Sequence, residues 1–402
     1  MQLKHLSLTN YRAFTRLDMD LPRRILLLIG GNAQGKTSVL EAVYFLATFT
    51  SFQAQHDRQI INFGLADEDL AVSRIVADFQ RGERDHRIEV RLIREKTSNG
   101  SSRLRKEILI DGVKKSIQDA LGNFNAVIFL PQMTRIVEGR PEDRRYYLNA
   151  MISQAVPRYA SVLLEYNQII SQRNALLKQL AERRGDPDQL LQWDEMLSER
   201  GTFLIRARIA AIQEIERLAT RIHNRLTHSK EVLRLSYIPS FDPRNQPKDQ
   251  FSLPLQTSIS RIDLSKDEIQ RRFVERLLYL RNEEISRGVT TIGPHRDDLR
   301  FMGNGVDFGL YGSRGQVRSV LLSLKLAEIG WLKEKTGHWP VLLLDEIMAE
   351  LDLQRREDLL SYLQNCEQAL LTTTDLGLFL PGFVDQCMIW EVKGGMVQLT
   401  SK

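Results

Sequence analysis

The chain has 402 residues, and 56 Lys and Arg against 51 Asp and Glu give it a net charge of +5. This length can support two lobes with separate cores, and the modest basic excess is compatible with a polyanionic partner without establishing one. Only Cys366 and Cys387 are present, so a disulfide framework is not indicated and a reducing cytoplasm is expected. No apolar run approaches the roughly 20 residues of a membrane span, and the first residues do not resemble a signal peptide.

A glycine-rich segment follows an apolar run at residues 24–29 and precedes a helical pattern that begins near Lys36. Its backbone N–H groups can turn toward a triphosphate, and the helix N-terminus adds partial positive charge. Lys36 is expected to contact the β- and γ-phosphates, and the Thr37 hydroxyl to bind Mg²⁺. A glycine turn without a ligand is the weaker alternative, because G-x-x-x-x-G-K-[ST] is matched in full. The predicted nucleotide-binding residues are Gly30, Gly31, Asn32, Ala33, Gln34, Gly35, Lys36, Thr37 and Ser38.

The segment from Arg81 to Lys115 is basic, with 11 Lys and Arg against 6 Asp and Glu. Apolar and polar residues alternate in it, with predicted turns at residues 98–101 and at Asp111-Gly112. It therefore predicts a basic β-hairpin. Arg103, Arg105 and Lys106 are candidate contacts to DNA phosphates, and an ordinary solvated strand face is an equally good interpretation.

The middle of the chain is predicted to be helical. Apolar residues recur at helical spacing from residue 157 to about 181 and again from 190 to 226, with a break at residues 185–188. Two helices joined by so short a turn would form an antiparallel arm of about 40 Å, judged from the rise per residue.

An apolar run at residues 340–344 ends in two carboxylates, Asp345 and Glu346. Such a run predicts a strand buried on both faces of a parallel sheet. Asp345 at its tip would lie beside the glycine-rich loop and bind Mg²⁺, and Glu346 could orient or deprotonate an attacking water. The alternative for Glu346 is that it only ends the strand.

A second helix start precedes this strand by about thirty residues. Ser313 can cap the helix, and Gly315 and Gln316 follow it, which makes a second anion-binding N-terminus. The order of these motifs is the one found in ABC-type ATPases. In those proteins the serine contacts the γ-phosphate held by the opposite subunit, and Asp352 would then belong to the loop that follows the acidic strand.

The chain resembles the RecF family of bacterial recombination-repair ATPases, which are related to the heads of SMC proteins. The resemblance rests on residues 6–14, 172–178 and 193–197, on Gly-Pro-His-Arg-Asp-Asp-Leu at 293–299, and on the Ser313 motif. Three features depart from the family pattern. Glu346 stands where aspartate is common, Thr373 or Thr374 stands where many ABC ATPases have a switch histidine, and residues 240–264 form an extra segment.

The resemblance implies an α/β fold, an ABC-type P-loop ATPase head with an inserted helical lobe that carries a short antiparallel arm. Residues 1–135 and 290–402 would form the nucleotide-binding lobe, and residues 136–289 the insertion. It also implies that Arg12 and Gln132 contact the nucleotide or its Mg²⁺, although Arg12 could equally anchor the first strand.

The function that the resemblance implies is that of a slow, DNA-stimulated ATPase. An ATP-dependent homodimer would bind double-stranded DNA at gaps or single-strand/double-strand junctions and, with RecO and RecR, promote RecA loading. The expected location is the cytoplasm, at the nucleoid. Two alternatives remain, which are a non-hydrolysing ATP-gated DNA clamp and the nucleotide-binding subunit of an ABC transporter.

Overall fold

The computed structural model describes residues 1–96, 102–243 and 264–399. The predicted turn at 98–101 and residues 244–263 of the extra segment lie outside these ranges. The strands are β1 Gln2–Tyr11, β2 Phe14–Asp20, β3 Ile25–Ile29, β4 Leu70–Arg81, β5 Arg84–Lys96, β6 Ser102–Ile110, β7 Val113–Lys115, β8 Ala126–Phe129, β9 Leu233–Ile238, β10 Asp298–Gly303, β11 Val306–Asp307, β12 Val341–Asp345, β13 Ala369–Thr373, β14 Met388–Lys393 and β15 Met396–Leu399. The α-helices are α1 Lys36–Thr48, α2 Ile117–Ala120, α3 Arg135–Glu138, α4 Pro141–Ser153, α5 Tyr159–Ala181, α6 Leu190–Leu226, α7 Lys266–Arg287, α8 Phe308–Tyr311, α9 Arg314–Thr336, α10 Leu353–Leu363 and α11 Pro381–Val384.

The described residues form two compact units. The first, named the nucleotide-binding unit after the loop predicted at residues 30–38, comprises Met1–Met133 and the described residues from Glu328 onward. The second, the helical unit, comprises Thr134–Ala327. The divisions fall at 133/134 and 327/328, where the sequence predicted boundaries at 135/136 and 289/290. Residues 290–327 stay with the helical unit because β10 pairs along β9 and because the buried Asp297 accepts a hydrogen bond from Tyr237. Ser313 therefore belongs to the helical unit.

A mostly parallel sheet forms the centre of the nucleotide-binding unit, with strand order β15-β14-β3-β13-β12-β8. Strands β14, β3, β13, β12 and β8 run parallel, and β15 pairs antiparallel to β14. The apolar runs of β3 and β12 are buried, as expected for strands covered on both faces. Because the carboxyl ends of parallel strands meet at one edge, the loop after β3 and the acidic end of β12 lie together. The predicted α/β fold is confirmed.

A second, antiparallel sheet in the same unit has the order β2-β1-β4-β5-β6-β7. One face packs on α1 and contributes Leu6, Leu8, Ile75 and Val90 to the core. The turn between β6 and β7 has positive φ at Asp111 and at Gly112, which is the two-residue hairpin that the sequence predicts. The outer face of this sheet carries mostly charged and polar side chains.

The helical unit is built on α5 and α6, which pack against each other and against α7. By the rise per residue, α5 is about 35 Å long and α6 about 55 Å. Both helices and the break between them agree with the prediction. The fully buried Arg173 joins the three helices, since it pairs with Asp194 at 2.8 Å and with Glu284 at 2.7 Å. No helix among the described residues is long and apolar enough to cross a membrane.

Candidate nucleotide-binding site

The glycine-rich loop at residues 30–35 has a shape that only glycine allows at two positions. Gly30 has φ +150° and Gly35 has φ +109°, a range that favours residues without a side chain. A Cβ at Gly30 would overlap the Val392 carbonyl oxygen, and one at Gly35 would lie 2.9 Å from the Phe14 ring. The loop is thus held between β14 and the start of β2, and α1 begins directly after it at Lys36.

The Lys36 side chain folds back over this loop and is only 5% exposed. Its Nζ donates to the carbonyl oxygens of Gly30 at 2.7 Å and of Gly31 at 3.0 Å. The Glu346 Oε1 atom lies 3.1 Å from the same nitrogen. The ammonium group is therefore fixed beside the loop and the helix N-terminus, where a phosphate anion would be most strongly attracted.

Thr37 and Asp345 come together although they are 308 residues apart in the chain. The Thr37 Oγ1 donates to the Asp345 carboxylate, at 2.9 Å from Oδ1 and 3.0 Å from Oδ2. Burial raises the pKa of Asp345, against the opposing effect of hydrogen bonds from Thr372 and Thr37. A hydroxyl and a carboxylate oxygen are ligands that Mg²⁺ prefers. Thr37 and Asp345, the predicted Mg²⁺ ligands, thus lie in direct contact, and their binding of an ion stays a prediction.

Glu346 lies beside Lys36 and adopts an unusual backbone conformation, with φ +50°. Its backbone N–H donates to the Thr372 Oγ1 at 3.0 Å, and its Oε2 accepts from the Thr374 backbone N–H at 3.3 Å. These contacts aim the carboxylate at the loop that holds Lys36. Glu346 therefore contacts Lys36 as well as ending β12, and its predicted role at the phosphates stays a prediction.

Thr372 is a site residue that the sequence analysis did not single out. Its Oγ1 donates to the Asp345 Oδ1 at 2.7 Å while accepting from Glu346 N, so one hydroxyl connects both carboxylate residues. Thr373, one of the two predicted switch residues, instead donates to the Asp375 carbonyl oxygen at 2.9 Å. The pairing of Asp345 with Thr372 in the β12–β13 register decides which threonine faces the site, and three consecutive threonines give no local signal for it.

Arg12 is anchored to α1. It lies between β1 and β2 with φ +51°, and its Nε and Nη2 donate to the buried Glu41 at 2.8 and 2.5 Å. Its Nη1 donates to the Gln59 carbonyl oxygen at 2.9 Å. The structure thus shows the anchoring interpretation, and the contact with a nucleotide stays a prediction. Gln132 is exposed just beyond β8, the strand beside β12, and its predicted role also stays a prediction.

Three further predicted residues take part in helix caps. Ser313 and Gln316 form a reciprocal capping box at the start of α9, in which Gln316 N donates to Ser313 Oγ at 3.2 Å and Ser313 N donates to Gln316 Oε1 at 2.9 Å. Asp352 caps α10 by accepting from the Arg355 backbone N–H at 3.0 Å. Gly315 lies in the first turn of α9.

The three predicted DNA contacts do not share one surface. Arg103 and Arg105 lie on the outer face of β6, where both are exposed. Lys106 lies on the opposite face, because successive residues of a strand alternate. Its side chain is 14% exposed, pairs with Asp57 at 2.7 Å and donates to the Phe49 carbonyl oxygen at 2.7 Å. The predicted grouping is therefore corrected, and Lys106 holds the sheet to the segment after α1.

Comparison with known proteins identifies the family to which the chain belongs. The family model described as RecF/RecN/SMC N terminal domain matches residues 2–383. The DNA replication and repair protein RecF of Roseiflexus castenholzii is 38% identical, over 98% of this chain and 99% of that protein. RecF of Enterococcus faecalis is 31% identical over the full length of both. The chain belongs to the RecF family. The resemblance seen in the sequence is thereby confirmed.

Solved structures agree with this assignment to the RecF family. The recombination mediator protein RecF-ATPrS in the RecFOR pathway superposes with a TM-score of 0.83 at 29% identity, over 99% of this chain and 98% of that one. The RecF-ATP structure from the same pathway gives 0.82 at 28% identity, over 100% and 98%. An SMC head bound to the C-winged helix domain of ScpA gives 0.52 at 13% identity, which shows a shared fold. The predicted ABC-type ATPase head is confirmed.

Proposed function

We propose that this RecF-family protein is an ATP-dependent switch of recombinational DNA repair. ATP and Mg²⁺ bring two copies together, and the homodimer binds double-stranded DNA at gaps or single-strand/double-strand junctions. With RecO and RecR it promotes RecA loading, and slow, DNA-stimulated ATP hydrolysis resets it at the nucleoid. The observation that carries the proposal is the meeting of Lys36, Thr37, Asp345 and Glu346 through contacts of 2.9 to 3.1 Å.

The residues of the site suit a nucleoside triphosphate with Mg²⁺. The N–H groups of the loop at residues 30–35 and the Lys36 ammonium bind phosphate oxygens, and Thr37 and Asp345 hold the ion. A Mg²⁺ ion held there would neutralise charge that develops on the transferred phosphate. Glu346 accepts a hydrogen bond from the attacking water and orients it, and Thr372 keeps the carboxylates of Asp345 and Glu346 in place. RecF structures with ATP and ATPrS support this choice of ligand.

The dimer follows from the roles of two separate motifs. In ABC-type ATPases the loop with the lysine and the helix start with the serine act on one nucleotide from opposite subunits. Such an arrangement requires a two-fold homodimer with two bound nucleotides. Here the Ser313 capping box offers a helix N-terminus to the γ-phosphate held by the partner's loop.

Analytical ultracentrifugation with ATP and with ADP tests the dimer. Wild type should dimerise in ATP and remain monomeric in ADP. Lys36→Met should lose nucleotide binding, Ser313→Arg should bind nucleotide as a monomer without pairing, and Glu346→Gln should accumulate the dimer by slowing hydrolysis. Normal pairing of Ser313→Arg would contradict the cross-subunit assignment. Wild type that pairs in ATP but shows no turnover with DNA would favour the non-hydrolysing clamp.

The outer face of the antiparallel sheet supports a DNA contact. Arg74 faces Arg91 across β4 and β5, and Arg105 pairs with Ile93 in the next row. Neighbouring strands lie about 4.8 Å apart, so these cations and Arg103 form a band across the strands. We propose this band, without Lys106, as a surface for DNA phosphates. Intervening carboxylates reduce its net charge, which keeps the solvated-face alternative open.

The salt dependence of DNA affinity separates these alternatives. A variant with Arg103→Glu and Arg105→Glu should bind duplex DNA more weakly in ATP, and its log–log salt slope should be smaller by about two. Exchanging Arg24 and Arg84, both exposed away from the band, for Glu makes the same change in charge as a control. Equal slopes for the two variants would return Arg103 and Arg105 to the solvated-face interpretation.

A further inference from the structure

A chain of hydrogen bonds in the helical unit connects the start of α9 to the end of α6. The Gln316 Nε2 donates to Glu231 Oε1 at 2.8 Å. The other carboxylate oxygen of Glu231 lies 3.2 Å from His223 Nε2, and His223 Nδ1 lies 3.1 Å from Ser323 Oγ. This series of hydrogen bonds therefore leaves α9 in its first turn and returns to the same helix about two turns later. It passes through the last turn of α6 on the way.

The direction of these hydrogen bonds follows from the groups that make them. The Ser323 hydroxyl donates to the Ser319 carbonyl oxygen at 2.7 Å, so it accepts from His223 Nδ1. The opposite ring nitrogen faces the Glu231 carboxylate, which accepts when ionised. The His223 ring is completely buried, and its contacts with Ser323 on one side and Glu231 on the other hold the Glu231 side chain in place.

Glu231 fixes which way the Gln316 amide points. A carboxylate can only accept, so the NH₂ group must face Glu231 and the amide oxygen must face the Ser313 backbone N–H. That orientation closes the capping box at the start of α9. The Ser313 Oγ is then occupied as an acceptor by Gln316 N, and none of the residues described by the structure accepts its hydroxyl proton. The proton is thus available to a phosphate oxygen.

The position of Glu231 is itself well defined. After α6 the chain turns through His228 and Ser229, both with positive φ, before β9 begins. The Asn304 side chain holds this turn, since its Nδ2 donates to the Lys230 carbonyl oxygen at 3.2 Å and its Oδ1 accepts from Val232 N at 3.3 Å. Glu231 lies between the two tethered residues. Its carboxylate therefore offers the Gln316 amide a hydrogen-bond acceptor at a fixed position.

We propose that Glu231, held by His223, is a positioning residue for the Ser313–Gln316 motif. It acts in the dimer of the proposed function, on which the inference rests, by keeping Ser313 ready to donate to the triphosphate of the partner subunit. The motif is thereby coupled to the end of the long helix α6. A nucleotide bound to the loop of a single protomer does not require Glu231.

Two substitutions and two measurements test the proposal. Glu231→Ala should leave the affinity of the dilute monomer for a fluorescent ATP analogue within about twofold of wild type. It should raise the protein concentration for half-maximal pairing in ATP about tenfold, as expected for a lost hydrogen bond to a charged group. Glu231→Gln retains an acceptor for Gln316 and should restore most of the pairing. Glu283→Ala, which removes a carboxylate paired with Arg287 on α7, is the matched control and should pair like wild type.

Mixing variants separates positioning from general damage. Glu231→Ala has an intact loop and an impaired motif, and Lys36→Met has the reverse. Their mixed dimer contains one site with both parts intact, so the mixture should pair in ATP at a concentration where neither variant pairs alone. A mixture that pairs no better than its components would overturn the proposal.

Ser313→Arg distinguishes this inference from the function on which it rests. If Ser313→Arg pairs like wild type, the cross-subunit dimer itself fails. If Ser313→Arg cannot pair while Glu231→Ala pairs like wild type, the dimer stands and the role of Glu231 is refuted.

Discussion

Replacing Thr372 by valine should destabilise the nucleotide-binding unit. Valine keeps the β-branched shape of threonine and removes its hydroxyl. That hydroxyl donates to Asp345 at 2.7 Å and accepts from Glu346 N at 3.0 Å, and Thr372 is only 2% exposed. The substitution therefore removes a hydrogen bond to a buried carboxylate and leaves a backbone N–H without its acceptor.

The size of the effect follows from these two losses. A hydrogen bond to a charged group contributes about 1.5–3 kcal/mol, and an unpaired buried donor costs about 1–3 kcal/mol. Because the two losses overlap at one hydroxyl, we expect the free energy of unfolding to fall by about 2–4 kcal/mol at pH 7. Thr372→Ser retains the hydroxyl and should keep most of the stability.

Denaturant unfolding followed by tryptophan fluorescence measures this difference. Trp331, Trp339 and Trp390 lie in the nucleotide-binding unit and only Trp193 in the helical unit, so the signal reports mainly on the former. The same substitution in an Asp345→Asn background should cost less, since the hydroxyl then faces a neutral amide. Equal stability of Thr372→Val, Thr372→Ser and wild type would refute the role given to this hydroxyl.

Substitutions at Gly35, Asp345 and Glu89 have defined outcomes, and a substitution at Gly31 serves as a control. Gly35→Ala should destabilise the protein by about 1–3 kcal/mol and abolish nucleotide binding, because φ is +109° there. Gly31→Ala, whose added Cβ would lie 3.8 Å from its nearest neighbour, should fold normally in the same denaturant-unfolding assay. Burial raises the pKa of Asp345, so ionising this carboxyl costs more free energy in the folded protein than in the unfolded chain. Wild type should therefore lose stability relative to Asp345→Asn as the pH rises above the ordinary pKa of 3.8. A constant difference between their denaturation midpoints across pH would contradict this. The hydrogen bond from Arg74, aided by Arg91 against the effect of burial, lowers the pKa of Glu89 to about 2. Glu89→Gln should therefore be less stable than wild type above pH 4.5, with the difference in unfolding free energy vanishing as the pH falls toward 2.

The parts of the structure that sequence patterns predicted are those with a strong local signal. The loop after β3 needs glycine at Gly30 and Gly35, and β12 is an unbroken apolar run that ends in Asp345. Helices α5 and α6 begin and end close to the predicted limits because each has an apolar stripe and the break between them contains glycine and proline. In these segments the residue types of near neighbours in sequence are enough to predict the local structure.

The parts that were missed depend on contacts distant in sequence. Thr372 could not be told from its two threonine neighbours without the β12–β13 register, and Glu231 meets Gln316 only because the turn after α6 lies beside the start of α9. The grouping of Lys106 with Arg105 is different, since the alternation of a strand already places adjacent residues on opposite faces. The alternation within the predicted strand was therefore enough to place Lys106 on the face opposite Arg105.

The central strand β3 has consequences for the order in which the chain can fold during synthesis. It lies between β13 and β14, which the ribosome makes more than three hundred residues later. The loop after β3 packs on Val392, and its Gln34 accepts a hydrogen bond from Gly394 N at 2.7 Å. A nascent chain therefore exposes β3 and α1 without the strands that frame them, and a ligand of the loop at residues 30–35 would meet a completed site only after β14 has emerged. Products of interrupted translation that stop before β14 would carry the antiparallel sheet and the Ser313 motif, but their loop at residues 30–35 would lack its contacts with β14.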